Sequence, residues 1–345
     1  MLLKTLSELN GASGAEKPIR DMLRQTLEPY VDRLFIDKMG NLIAEKNIQG
    51  VGPKVMLAAH MDEVALMITE ITSDGFLKFE AVGGVDARIL LAKAVKIGER
   101  KLNGVIGSKA IHLTKPAERQ KALEIDQLYI DIGAKSKEEA LRHVQLGDYA
   151  YFDTEYESFG RAHWKGKAMD DRVGCAVLTE ILKKNYRFPL VGVFTVQEEV
   201  GLRGAKVAAF HVKPDFAIVL EGTVSGDMLD VEDQDWVTEI GKGPACSIMD
   251  NATLYAPALI RQLAALAKAK GIPLQFRRGN KGGNDAGVIH VSQAGVPTLA
   301  ISVPCRYIHS FVSVVADKDI GATIDLIDVA LRELPQSLPK THSLS

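Results

Sequence analysis

The chain has 345 residues, 46% hydrophobic and 25% charged, with a formal net charge of -2 and a pI near 6.5. This suits a globular protein of about two domains at ~150 residues each, with a core large enough to fold without disulfides or a structural metal. The charge balance excludes a global basic field for nucleic acid or anionic membranes, and no run of ~18 uncharged apolar residues is present to span a bilayer.

Cys175, Cys246 and Cys305 form an odd, sparse set with no C-x-x-C pair. Small or apolar neighbours make them buried thiols of a reducing compartment. The N-terminus M-L-L-K-T-L-S-E-L-N lacks a long apolar h-region, so it reads as an amphipathic helix rather than a signal peptide. A cytoplasmic location follows as the expectation.

Helices are expected near Leu2–Asn10 and Glu16–Tyr30, broken by Gly11 and Gly14. A strand follows near Asn41–Lys46. The short apolar run Lys54–Ala59 reads as a strand buried on both faces. Between about Ile68 and Gly166 the texture changes. Short alternating runs such as Phe76–Val82, Ala94–Ile97, Val105–Leu113 and Tyr149–Thr154 recur between turn signals. That spacing predicts a small β-barrel or sandwich, interrupted by a helix at Ser136–His143. After Ala168 helices and strands alternate: a helix at Asp171–Lys184, strands at Leu190–Val196 and Phe216–Leu220, a helix at Pro257–Lys270, and strands at Leu274–Arg277 and Thr298–Val303. A long helix at Lys318–Leu334 precedes a polar, Pro-broken tail expected to be loose. The fold class is α/β, a mostly parallel sheet with helices on both faces plus an inserted small β-barrel-like domain. The expected division is residues 1–67 and 167–345 for the catalytic domain, and 68–166 for the insertion.

Polar residues fall at informative places. Lys54–Ala59 ends in His60-Met61-Asp62-Glu63, Leu190–Val196 in Gln197-Glu198-Glu199, Phe216–Leu220 in Glu221, and Thr298–Val303 runs on to His309. Ligands bind at the carboxyl edge of open parallel sheets. One such residue is easily a solvated loop side chain; four strands delivering His or carboxylate to one edge indicate a metal centre. In His60-x-Asp62 the two side chains share a face of an extended segment, so Asp62 can accept from the ring nitrogen of His60 that does not bind metal. Of Glu198 and Glu199, one can bind metal while the other serves as a base, and Gly201 allows the sharp turn this needs. Asp170 stands where a helix N-cap would, and its carboxylate could equally bridge two ions.

The segments A-A-H-M-D-E, K-A-M-D-D-R-V-G, Q-E-E-V-G-L-R-G-A, G-G-N-D-A and R-Y-I-H-S occur in that order. In them the chain resembles the M42 family of metallo-aminopeptidases over nearly its whole length. The resemblance implies His60 as terminal ligand of one metal with Asp62 as its orienting partner. It implies Asp170 as the bridging ligand, Glu198 as general base, and Glu199, Glu221 and His309 as further ligands. Glu221 stands where the family commonly has Asp, and Asn284 where G-G-T-D-A has Thr. His and carboxylate donors without thiolate suit two ions of Zn²⁺, Co²⁺ or Mn²⁺. The implied reaction is removal of N-terminal residues from short peptides with a free N-terminus, with a metal-bridged water as nucleophile and Glu198 as proton carrier.

Two rivals come from the same chemistry. A two-metal deacylase of N-acyl amino acids shares the donor set, but its substrate lacks a free α-amine. A glycosidase needs two carboxylates flanking a sugar bond and usually no metal, which leaves His60 and His309 unexplained. Arg277, Arg278 and Lys281 cluster near G-G-N-D-A. They are either a solvated strand end or a cationic pocket for N-terminal Glu or Asp. The insertion carries none of the expected ligands. In the family it resembles, such a module mediates self-association, commonly into a homododecamer. Ile89-Leu90-Leu91 could serve such an interface or the barrel core.

Overall fold

The structure, a computed structural model, describes residues 2–337. Helices α1 (Leu2–Glu8) and α2 (Lys17–Leu27) lead into β1 (Arg33–Ile36), β2 (Leu42–Lys46) and β3 (Val55–His60). Next come β4 (Ala65–Ile71), β5 (Leu77–Val82), β6 (Ala94–Ile97), β7 (Leu102–Ser108), β8 (Leu128–Asp131) and β9 (Tyr149–Phe152), with the short helices α3 (Pro116–Arg119) and α4 (Lys137–Ala140) among them. The remainder runs β10 (Glu157–Ser158), β11 (His163–Gly166), α5 (Met169–Leu182), β12 (Leu190–Thr195), α6 (Arg203–Val212), β13 (Phe216–Val224), β14 (Ala245–Ser247), α7 (Pro257–Lys270), β15 (Gln275–Arg277), α8 (Ala286–Ile289), β16 (Thr298–Arg306), β17 (Ser313–Ala316) and α9 (Asp317–Ser337). The polar tail expected after the last helix lies outside the described residues from Leu338 onward. Its first residues, Pro335–Ser337, belong to α9.

An 11-stranded mixed sheet forms the main body, in the order β1-β2-β12-β3-β13-β16-β17-β11-β10, with β14 and β15 branching from β16. Its middle, β12-β3-β13-β16, is parallel, and antiparallel strands extend both edges. Every residue of β3 and of β12 is buried, as expected for strands covered on both faces. Val173, Val177 and Ile181 turn one apolar stripe of α5 into the core, where it packs on β3 and β13. Helix α7 shows how local chemistry sets an element's ends. Pro257 opens it, and Gly271, at φ 66°, closes it in the left-handed region.

The β-rich block is a closed barrel in the order β4-β5-β8-β7-β6-β9, with its own core that includes Leu66, Phe79, Val95 and Ile130. Closure satisfies the strand edges that a sandwich would leave open. Leu90 is fully buried in that core while Leu91 is exposed, so Leu90 is barrel interior and Leu91 is surface.

Candidate metal centre

Register brings the expected residues to one edge. Thr195 pairs with His60 across the parallel β12/β3 ladder, and Glu221 pairs with Ser302 across β13/β16. His60 and Glu221 lie within their strands; β13 runs three residues beyond Glu221. Glu198 and Glu199 follow the end of β12, and His309 follows β16 in a turn where its φ is 57°. Gly222 lets β13 pass close to the site, because a Cβ there would sit 2.9 Å from the Asp170 Cα.

Asp170 lies between the two histidines. Its Oδ1 is 3.4 Å from His60 Nε2, and its Oδ2 is 3.5 Å from His309 Nε2. Glu221 Oε2 is 3.5 Å from His60 Nε2, and Glu199 Oε1 is 3.4 Å from His309 Nε2. Both rings turn Nε2 inward because Nδ1 is occupied. His60 Nδ1 meets the backbone carbonyl of Asp62 at 3.0 Å, and His309 Nδ1 meets that of Gly84 at 3.1 Å. The Asp62 carboxylate is 3.6 Å from His60 Nδ1. Its oxygens are engaged elsewhere, by the backbone N–H of Glu198 and Glu199 and the hydroxyl of Ser13.

The helix-capping role open to Asp170 belongs instead to its neighbour. Asp171 Oδ1 accepts the N–H of Gly174 at 2.9 Å, and its Oδ2 accepts that of His60 at 3.1 Å. Sequence reasoning assigned Asp171 nothing. Its signal was the doubled Asp at a helix start, where one carboxylate can cap and leave the other for the cleft. Asp285 was also missed. It is fully buried, accepts from the Thr195 hydroxyl at 2.6 Å, and is pushed up to about 6 by burial.

The electrostatics are those of crowded carboxylates around two imidazoles. Burial, reinforced by neighbouring acids and opposed by His60, drives Glu198 and Glu221 well above the usual carboxylate range. Burial also raises Glu199, to about 7, against the pull of His309 and His60. Burial opposes charging Asp170, yet the two histidines hold it well below its ordinary value. His309 is pushed up to about 9, because Asp170 and Glu199 outweigh its burial.

Among the described residues, three donor sets each have their atoms within 4.8 Å of one another: His60, Glu198 and Glu199; His60, Asp171 and Glu221; and Asp170, Glu199 and His309. All donors are nitrogen or carboxylate oxygen. Asp170 Oδ1 and Glu221 Oε1 are buried with no hydrogen-bond partner among the described residues. Buried polar atoms are seldom left so, and a divalent cation would satisfy both. The residues therefore fit a metal.

Beside them opens a cleft of ≈ 140 Å³, lined by His60, Glu198, Glu221, Asp250, Arg277 and His309 among others. Of the three basic residues near G-G-N-D-A, Arg277 alone lines it. Its Nε donates to Thr223 Oγ1 at 3.2 Å and its Nη2 to the Lys281 carbonyl at 2.6 Å, while buried Nη1 has no hydrogen-bond partner among the described residues. Arg278 is exposed and donates to the Asp233 carbonyl. Lys281 is exposed.

A sequence model of the M42 glutamyl aminopeptidase family matches residues 40–326. A putative aminopeptidase of Acetivibrio thermocellus is 41% identical over 96% of this chain and 97% of its own length. A lysyl aminopeptidase of Pyrococcus furiosus is 34% identical over 96% of each. Among solved structures, a TET aminopeptidase from a marine sediment archaeon of the Thaumarchaeota superposes with a TM-score of 0.93, at 35% identity, covering 96% of this chain and 95% of the other. The TET1 peptidase of Pyrococcus horikoshii, described as assembling into a tetrahedron or a large octahedral shell, superposes at 0.84, with 34% identity and coverage of 96% and 98%. Fold and site thus define a peptide hydrolase of the metal-dependent class. The chain belongs to the M42 peptidase family.

Proposed function

We propose that the protein is a two-metal aminopeptidase that removes N-terminal residues from short peptides. The observation that carries this is Asp170, whose two oxygens face different histidines at 3.4 and 3.5 Å. In this reading His60 and Glu221 would hold one ion and His309 and Glu199 the other, with Asp170 placed to serve either. Two divalent ions held there would supply Lewis acidity, lowering the pKa of a water and polarising the scissile carbonyl. Glu198 accepts the proton of the attacking water on its carboxylate and returns it to the leaving amine. Asp62 steadies the centre from behind, through its carbonyl on His60 and its carboxylate on the Glu198–Glu199 turn.

Arg277 supports a preference for acidic N-terminal residues. Asp250, the acid that shares this wall, already accepts from Ala252, Thr253 and Tyr255. The uncommitted Arg277 Nη1 is therefore the group left to read a side chain, and a carboxylate suits it. The catalytic unit is the body built on the mixed sheet, which takes in β10 and β11 as well as the residues expected for it, 1–67 and 167–345, less the start of β4. The insertion, the barrel from β4 to β9, serves assembly, and the assembly is a homododecamer, a reading supported by the dodecamer of a related TET1 peptidase. Three buried free cysteines agree with the reducing cytoplasm.

The test is a panel of aminoacyl-anilides and their N-acylated counterparts, assayed with Zn²⁺, Co²⁺ or Mn²⁺ after chelation. Turnover of free-amine substrates alone is expected. Turnover of N-acyl amino acids alone would assign a deacylase.

A further inference from the structure

Ser13 and Glu16 lie before the family match, which begins at residue 40. Yet the loop between α1 and α2 reaches three of the five segments that carry a proposed ligand or the base: those of His60, of Asp170 and of Glu198 and Glu199. Ser13 Oγ donates to Asp62 Oδ2 at 2.6 Å. Glu16 Oε1 accepts the backbone N–H of Gln197 at 3.1 Å. The next two N–H groups, of Glu198 and Glu199, go to Asp62 Oδ1 and Oδ2, each at 3.1 Å. Three successive backbone donors are thus caught by two buried carboxylates, one of them supplied by this loop.

The rest of the loop is anchored as firmly. Arg172 is fully buried and spends its guanidinium on the carbonyls of Met61, Leu6, Leu9 and Gly11 and on Glu63. That exhausts the five donors an arginine has. Lys167 donates to the Leu9 carbonyl at 2.9 Å and to both oxygens of Glu63 at 2.7 Å. Glu63 Oε1 in turn accepts the Gly11 N–H at 2.9 Å. The loop is therefore clamped to the strand end that carries His60 and to the segment that carries Asp170. Glu16, itself 4% exposed, joins that frame to the third segment.

The turn needs this support. Gln197 has a φ of 55°, in the left-handed region that non-glycine residues seldom occupy. Its N–H points away from the regular ladder and requires an acceptor of its own. Without Glu16 the conformation that aims Glu198 and Glu199 in different directions loses one of its three ties.

We propose that Glu16, with Ser13 behind Asp62, is a positioning residue of the catalytic centre. It holds the Gln197–Glu199 turn so that Glu199 meets His309 while Glu198 faces the cleft. This rests on the two-metal aminopeptidase reading, but its test is separable from it. The purified full-length protein is stripped of metal and titrated with Co²⁺, and the visible spectrum and bound equivalents are recorded beside kcat and KM. Glu16→Ala is expected to weaken one of two Co²⁺-binding steps by about 10-fold or more, the usual scale for partners of metal ligands. The other step stays within about 2-fold, and kcat falls about 10-fold with KM nearly unchanged. Glu16→Gln keeps an acceptor oxygen for Gln197 and should restore both readouts. Ser13→Ala should move the same step in the same direction, and it decides the matter if Glu16→Ala does not fold. Wild-type Co²⁺ binding and kcat in folded Glu16→Ala would overturn the proposal. Equal weakening of both steps, unrescued by Glu16→Gln, would overturn it too, since that is general destabilisation. A wild-type protein inactive on all peptides would sink the aminopeptidase reading, while the Co²⁺ titration still decides the role of Glu16.

Discussion

The carboxylate of Asp62 accepts the backbone N–H of Glu198 at 3.1 Å. The strand end that carries His60 is thereby tied to the turn that presents the proposed base. With the Glu199 N–H and the Ser13 hydroxyl, three donors depend on this one fully buried side chain. Asp62→Ala strands them all, and each buried unsatisfied donor costs about 1–3 kcal/mol. Urea unfolding of the metal-free protein should show a loss of at least ~2 kcal/mol. Asp62→Asn, which retains an acceptor oxygen, should lose less. An unchanged midpoint for Asp62→Ala would mean that water replaces the side chain without penalty.

Chelation should abolish peptidase activity, and readdition of Zn²⁺, Co²⁺ or Mn²⁺ should restore it. The melting temperature should rise with loading, since a ligand at 1,000 times its Kd adds about 4 kcal/mol to the native state. Elemental analysis should count two ions per chain. Full activity in a metal-free sample would end the two-metal reading.

Glu198→Gln preserves volume but removes the proton acceptor. Turnover should fall by about 10²–10⁴-fold, the range for loss of a general base, with both ions retained. His60→Ala and Asp170→Ala should instead lose metal. If Glu198→Gln lost metal yet kept its rate per loaded site, the roles of Glu198 and Glu199 would have to be exchanged.

Arg277→Ala should lower kcat/KM on a Glu-anilide by about 10–100-fold, corresponding to one charge-assisted hydrogen bond of ~1.5–3 kcal/mol. A Leu-anilide should be little affected. Parallel losses on both substrates would make Arg277 a structural support of the Thr223 and Lys281 segments rather than a reader of charge.

Light scattering at assay concentration should report a particle of about twelve chains, the dodecamer of a related TET1 peptidase being the guide. Folded proteins should resist cleavage while short peptides are turned over. A stable monomer with full peptidase activity would remove the assembly proposal and leave the catalytic one intact.

Much of the chain could be read in advance because the signals were local. The buried parallel strands at Val55–His60, Leu190–Thr195 and Phe216–Val224 each contain a short apolar run with His60, Glu198 or Glu221 at or soon after its end. The helix at Pro257–Lys270 is bounded by its own proline and glycine. Strand ends and the resemblance to the family together brought His60, Asp170, Glu198, Glu199, Glu221 and His309 into one candidate set. Strands β1, β8 and β17 and helix α6 were not read, because short or weakly patterned segments owe their form to the neighbours they pair with or pack on. Tertiary structure alone decided that Asp171 caps the helix while Asp170 faces both histidines, a matter of side-chain direction within one doubled motif. It decided likewise that Asp62 supports the Glu198 turn with its carboxylate and His60 with its carbonyl, and that Glu16, 181 residues before Gln197, takes up that residue's N–H. Spacing along the chain names which groups can do chemistry. Which hydrogen bond each one spends to hold another in place depends on contacts between distant segments, and those exist only once the sheet has formed.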